Sequence, residues 1–405
     1  EGTLDGAKIK WEITGDTLTF SIDESNTTDT STVITHNGWG WDNNQPWNST
    51  VGKSEITKVV IGEGITAING AAFTNYANLT TVELPTTLTA FGKASGYGTQ
   101  TFCDSKKLST IYVAGNTPVE GTFDLSYVTT FSTDTYIFYG TQGKNIILSK
   151  NFTDTKFGDS TLPTTLESIT FPIDGGKAAR MARYDGISGA LTFTALSDVP
   201  EWISISSLAK TIINSYKSSI KSMAFYGDYS KGLHFGDWND TDAYFLKDFT
   251  ALESIYIEKS FGIQKYSNDG FFSGCTSLQS FGIGENYKAG EVNLTGIIDW
   301  AGNGKIKLDL FKGCTAIEKV VFPASGVANV IGENAFAGCT SLTTIIVPEV
   351  TTITSLPSTA FSGCTAIALI EVTSTSQKAL FDTVTLPEDV VINVETASVG
   401  GKLEG

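Results

Sequence analysis

The chain is poor in the residues on which much protein chemistry depends. Its 405 residues include two arginines (Arg180 and Arg183), two histidines (His36 and His234), two methionines and five cysteines. So few guanidinium groups nearly exclude bidentate phosphate recognition. No Cys-x-x-Cys or Cys/His cluster offers a structural zinc site. The two histidines stand far apart in sequence and read as isolated surface residues. Gly186-Ile-Ser188-Gly189 lacks the spacing of a nucleophile elbow, and no glycine-rich phosphate loop is present. Paired carboxylates stay open as a possibility, since 43 acids offer many accidental pairs. Asp237, Asn239, Asp240 and Asp242 miss the spacing of a calcium loop. These absences point to a chain without cofactor, metal or catalytic machinery.

No run approaches the roughly 18 apolar residues of a membrane span, and no secretory leader is visible. No cysteine precedes Cys103 to take a lipid, so membrane attachment is expected only through a segment outside this chain. Lys+Arg number 27 against 43 Asp+Glu, a formal charge of -16 with a pI near 4.6. Nucleic acid, itself a polyanion, is excluded as a natural partner.

What the sequence has is a repeat. Phe311-Lys-Gly-Cys314-Thr-Ala-Ile317 returns as Phe336-Ala-Gly-Cys339-Thr-Ser-Leu342 and again as Phe361-Ser-Gly-Cys364-Thr-Ala-Ile367, with 25 residues between equivalent positions. A fixed period of this length is the mark of a solenoid. In Leu342-Thr-Thr-Ile345-Ile-Val347, Ile345 and Val347 alternate with an outward Ile346 as a short strand requires. Pro348 ends the strand because it has no amide hydrogen for the ladder. Gly338, in the turn before it, is suited to a positive φ. One coil alone cannot bury its Phe, Cys, Leu and Ile, whereas stacked coils can.

The strand phase recurs at Ile56/Val59/Ile61, Leu79/Val82/Leu84, Leu108/Ile111/Val113, Leu166/Ile169/Phe171, Leu252/Ile255/Ile257 and Leu278/Phe281/Ile283. The 58 residues from Leu108 to Leu166 leave room for one further coil, through Leu125, Val128 and Phe131 or through Tyr136 to Leu148. The 39 residues from Leu278 to Ile317 imply an insertion near Lys288 to Gly304, expected as a loop on one face. A last coil is expected through Leu386 to Val394.

The opening of the chain reads as a hairpin from Trp11 to Ile22, with Gly15-Asp16 at its turn. Gly189-Ala-Leu191-Thr-Phe193 matches Asp16-Thr-Leu18-Thr-Phe20, Pro200-Glu-Trp202 answers Pro46-Trp47, and Ile220 to Phe225 answers Ile56 to Ile61. A repeated opening module implies a second cap and a second solenoid segment. The divisions expected are 1–173, 174–396 and a flexible tail 397–405, with the linker at Pro172 to Lys177. A single solenoid with a bulky insertion is the rival reading.

The Ala-Phe-x-Gly-Cys-Thr-x-Leu-x-x-Ile-x-Val-Pro unit, best in Ala335 to Pro348, resembles the BspA-like leucine-rich repeat of bacterial surface and secreted proteins. The opening module, with its Trp, Leu-Thr-Phe, Pro-Trp and Ile-Thr-x-Val-Val-Ile elements, is similar to that family's amino-terminal module. Tyr76 and Phe249 at the Cys place, and Cys103 directly after Phe102, depart from the pattern. The resemblance implies a leucine-rich-repeat solenoid, a right-handed superhelix of short parallel strands with irregular or short helical turns. It also implies an exported or cell-surface bacterial protein that binds host or neighbouring-cell proteins without catalysis.

Cys275, Cys314, Cys339 and Cys364 share one phase. Neighbouring strands lie about 4.8 Å apart, beyond the roughly 3.5–4.5 Å between Cβ atoms that a disulfide requires, so these are read as buried thiols. Candidate binding residues are outward strand positions: Glu83, Tyr112, Tyr256 and Glu371, with Thr170, Val321 and Ile346 beside them. The stretch His36 to Trp47 and the stretch around Trp238 combine flat rings with amides and carboxylates, chemistry suited to a sugar. Trp39, Trp41 and Trp238 therefore support an alternative, glycan binding, while Trp47 and Trp202 are expected to cover the first coil of each segment. A structural spacer with no ligand is a third reading.

Overall fold

The computed structural model describes residues 1–36, 45–49, 51–92, 100–131, 136–153, 162–173, 180–195, 203–229, 233–234, 246–263, 270–299, 305–306, 309–326 and 329–395. Trp39, Trp41, Trp202, Trp238, the Asp237 to Asp242 cluster, the linker from 174 onward and the tail 397–405 lie outside them. The chain divides into two compact units, Glu1–Ile187 with Ser207–Ile212, and Ser188–Ser206 with Ile213–Gly405.

The first unit opens with the antiparallel hairpin Ile9–Thr14 and Thr17–Ile22, in which Thr14 faces Thr17 across Gly15-Asp16. From Thr17–Ile22 onward the row is parallel: Lys58–Ile61, Thr81–Leu84, Thr110–Val113, Thr122–Leu125, Asn145–Leu148 and Ser168–Pro172. Arg180–Asp185 then pairs antiparallel with Ser168–Pro172. A second parallel row, Val33–His36, Ala67–Gly70, Ala90–Gly92 and Thr130–Phe131, runs along another side of the same coils. Both stretches weighed for the one extra coil between Leu108 and Leu166 are strands of the row. The expectation of a single further coil is corrected to two rungs.

In the second unit Ala190–Ala195 is followed in parallel by Ser222–Tyr226, Ser254–Ile257, Ser280–Ile283, Val292–Asn293, Lys319–Val321, Thr344–Ile346, Leu369–Val372 and Val391–Val394. The insertion near Lys288 to Gly304, expected as a loop on one face, is corrected: its described part contains strands. Val292–Asn293 is a rung of the main row, and Ile297–Asp299 pairs with the strand Ser260–Ile263 on another side. Its backbone groups are thereby satisfied within the sheet, as a buried segment requires. In both units this short return follows about a dozen residues after a full rung: Ile111 pairs with Phe123, and Phe281 with Val292.

Alternation explains the strands. In Lys58–Ile61, Thr81–Leu84 and Ser254–Ile257 the second and fourth residues are buried and the others half-buried, as successive side chains point to opposite faces. The turns carry their own ladder. Phe311 N–H donates to Ala335 O, Phe336 to Ala360, Gly313 to Ala337 and Gly338 to Ser362, all at 2.8–2.9 Å. Asn75, Asp104, Gly140, Asp248, Gly274, Gly313, Gly338 and Gly363, each two residues after the aromatic place, all have positive φ between 55° and 76°. That conformation aims the amide along the stack. Glycine adopts it without strain, and Asn or Asp more readily than other residues.

Phenylalanines form a spine within each unit. Phe272, Phe311, Phe336 and Phe361 stack at 5.6, 5.4 and 5.5 Å, and Phe73, Phe102 and Phe138 at 5.6 and 6.0 Å. Trp47 is buried against Phe20 and Phe73, with its indole N–H donated to the Tyr76 hydroxyl. His36 is buried, with only 7% of its surface exposed; the surface reading of this residue is corrected, because it ends a strand of the second row.

Candidate functional site

The outward positions of the main strand rows are the candidate site. In the first unit, parallel register sets Val60, Glu83 and Tyr112 side by side. Lys58, two residues before Val60 and on the same face, reaches across two coils: its Nζ lies 3.3 Å from Glu83 Oε2 and 3.0 Å from the Tyr112 hydroxyl. Tyr112 in turn donates to Glu83 Oε2, and the ammonium lies 5.6 Å from the Tyr112 ring centre.

The three groups form one closed network. Hydrogen bonding to Tyr112, and then to Glu83, raises the Lys58 pKa above its ordinary value against a smaller opposing effect of burial. Tyr112 is also raised, first by partial burial and then by its bond to the Glu83 carboxylate. At neutral pH Lys58 is therefore an ammonium and Tyr112 a neutral phenol. Lys58 escaped the sequence reading, although alternation from Val60 places it on the outward face. Farther along, Ile147 lies between Asp124 and Thr170, and Thr170 faces Arg183, which pairs with Asp185 at 3.2 Å.

In the second unit Tyr256 lies between Ala224 and Gly282. Its ring meets Tyr226 at 5.9 Å and 56°, and Tyr287 at 5.6 Å and 86°. Tyr287 comes from the turn after Ser280–Ile283, and Gly282 is what admits it: a methyl group there would lie 2.5 Å from the Tyr287 Cα. Glu371 stands between Ile346 and Asn393, with Val321 on the far side of Ile346. Glu83 and Tyr112 thus meet in the first unit, whereas Tyr256 and Glu371 belong to different parts of the second unit's row. Trp39, Trp41 and Trp238 lie outside the described residues. Tyr226 was detectable from alternation in Ser222–Tyr226, but no periodic signal marks Tyr287.

All five cysteines are buried and free. Four thiols point at the coil before: Cys314 Sγ donates to Phe272 O, Cys339 to Phe311 O and Cys364 to Phe336 O at 3.0–3.3 Å, and Cys275 to Leu246 O at 3.4 Å. Ser105 does the same, donating to Phe73 O at 2.8 Å. The thiols are therefore structural donors between coils. Among the described residues no group of three or more His, Cys, Asp and Glu is placed to hold a metal ion. No helix among them is long and apolar enough to cross a membrane.

The chain matches the model of the BspA type leucine rich repeat region, in six copies, over residues 48–174, 203–293 and 289–392. No curated protein matches it. Among solved structures it is similar to a leucine-rich repeat protein from Bacteroides ovatus, with 15% identity, 96% of this chain and 98% of that chain covered, and a TM-score of 0.34. It is also similar to a leucine-rich repeat protein from Eubacterium ventriosum (16%, 95% and 91%, 0.29). A leucine rich cell surface protein from Faecalibacterium prausnitzii gives 17%, 95% and 98%, and 0.27. The repeat match, which spans most of the sequence, carries the assignment: the chain belongs to the BspA-type leucine-rich-repeat family.

Proposed function

We propose that this chain is a non-catalytic binding protein, exported or held at a bacterial surface, whose outward strand face takes a protein ligand of a host or neighbouring cell. The observation that carries this reading is the Lys58, Glu83 and Tyr112 network. Three polar side chains from three coils are held in one arrangement on a face the core does not need. A surface fixed before binding loses less side-chain entropy when a partner arrives. The family assignment supports the same reading, since repeat solenoids present extended surfaces to partners.

The test is binding of the chain to immobilised extracellular-matrix proteins. Tyr112→Ala and Tyr256→Ala are compared with Lys312→Ala, on the turn side, as control. A loss of about tenfold for either tyrosine, in the range of interface hot spots, with Lys312→Ala unchanged, is expected. Equal binding by all variants would remove the strand face from consideration.

A further inference from the structure

Tyr226, Tyr256 and Tyr287 have no part in the core, yet they stand together on the outward face of the second unit. Tyr226 is 42% exposed, and Tyr256 and Tyr287 are half-buried. Their planes are inclined by 56° and 86°. Rings so inclined do not make the flat platform on which a sugar stacks; they make a notch with a wall and a floor.

At its edge lies Glu258, directly after the strand Ser254–Ile257 and two residues on from Tyr256, with its N–H donated to Phe225 O at 2.9 Å. Its Oε2 accepts the Gly227 N–H at 2.8 Å, which holds the carboxylate at the backbone that follows Tyr226. Exposed Glu285 lies in the turn that brings Tyr287 over Gly282. The sequence of the second unit carries 23 carboxylates against 13 lysines and no arginine, so the unit as a whole attracts cations.

We propose that this notch takes an arginine side chain of a partner protein: the guanidinium lies on the Tyr256 face between Tyr226 and Tyr287 and is met by Glu258. The proposal rests on the strand-face reading above and names its chemistry in the second unit. Aromatic faces attract cations through their quadrupole. A guanidinium also stacks as a plane and meets a carboxylate through two parallel N–H groups, which an ammonium cannot do. Gly282 is part of the device, because any side chain there would push Tyr287 out of the cluster.

The test uses the full chain and three soluble peptides alike except at three positions, which are arginine, lysine or citrulline. Binding is measured by calorimetry at 0.15 M salt. The arginine peptide is expected to bind at least about fivefold tighter than the lysine peptide and about tenfold tighter than the uncharged citrulline peptide. Tyr256→Ala is expected to weaken the arginine peptide about tenfold and Glu258→Gln about fivefold, while Tyr256→Phe, which keeps the ring, holds most of the affinity. Tyr226→Ala, at an exposed position, repeats the test where folding is not in question.

Equal binding of the arginine and citrulline peptides overturns the proposal, as does an arginine affinity untouched by Tyr226→Ala, Tyr256→Ala and Glu258→Gln. If matrix-protein binding still falls with Tyr112→Ala in that case, the strand-face reading survives and the cation site alone fails. If no matrix protein binds while the arginine peptide senses the tyrosines, the notch stands and the adhesive reading fails.

Discussion

Burial, with the carboxylates of Asp104 and Asp248 adding to the rise, pushes the Cys103 and Cys275 thiols from the ordinary value near 9 up to about 12. In the unfolded chain they ionise near their ordinary value. Between about pH 9 and 12 the unfolded state therefore binds fewer protons than the folded one, and stability falls as pH rises. Their contribution is whole below pH 9 and is lost progressively above it, at about 1.4 kcal/mol per pH unit for each thiol. Urea unfolding at pH 8 and at pH 10.5 should show this fall, and the double variant Cys103→Ala with Cys275→Ala should show a shallower one. The native thiols should also resist alkylation at pH 8 until the chain is unfolded. An unchanged slope in the double variant would move the alkaline sensitivity to Cys314 and Tyr76, which burial also raises.

The coil gains its stability by stacking on its neighbours, and Phe336 shows how much. It is fully buried and lies between Phe311 at 5.4 Å and Phe361 at 5.5 Å, nearly parallel to both. Phe336→Ala should cost about 3–5 kcal/mol by chemical denaturation, because the flanking coils are tied by their own turn ladder and cannot collapse into the gap. Phe336→Leu keeps most of the volume and should cost clearly less; an equal cost would show that ring stacking outweighs filled volume.

The same coil shows why part of the fold was legible. Phe336, Gly338 and Cys339 recur at one spacing because the ring stacks, the amide needs positive φ and the thiol donates to the coil before. In the first unit those tasks pass to other residues: Asn75 and Asp104 take the positive φ, and Ser105 takes the donor place. The coils persist there while the letters change. The rungs Thr122–Leu125 and Val292–Asn293 follow too soon after the previous strand to carry the turn motif, so no period marks them. Among the candidate residues, alternation was enough to place Glu83 and Tyr112 on one face. Tyr287 arrives from a turn, and only the open space above Gly282 reveals its place.

Over the whole molecule, charge decides which partners approach. The formal charge is -16, and the two guanidinium groups both belong to Arg180–Asp185, where Arg180 is buried and Arg183 pairs with Asp185. Polyanions meet repulsion and no bidentate donor array, whereas a basic partner is drawn in from a distance set by salt. The screening length shrinks from about 30 Å at 0.01 M to about 8 Å at 0.15 M. Steering acts on association, whereas contacts made after docking govern dissociation. For the arginine peptide the association rate should therefore fall severalfold between those salt concentrations, with the dissociation rate nearly constant. Tyr256→Ala should do the reverse, raising the dissociation rate while leaving the salt dependence of association intact. Surface-resonance kinetics separates the two. If Tyr256→Ala instead slowed association and left dissociation alone, the rings would be acting through the approach and not through a docked contact, and the guanidinium would have to be held by carboxylates alone.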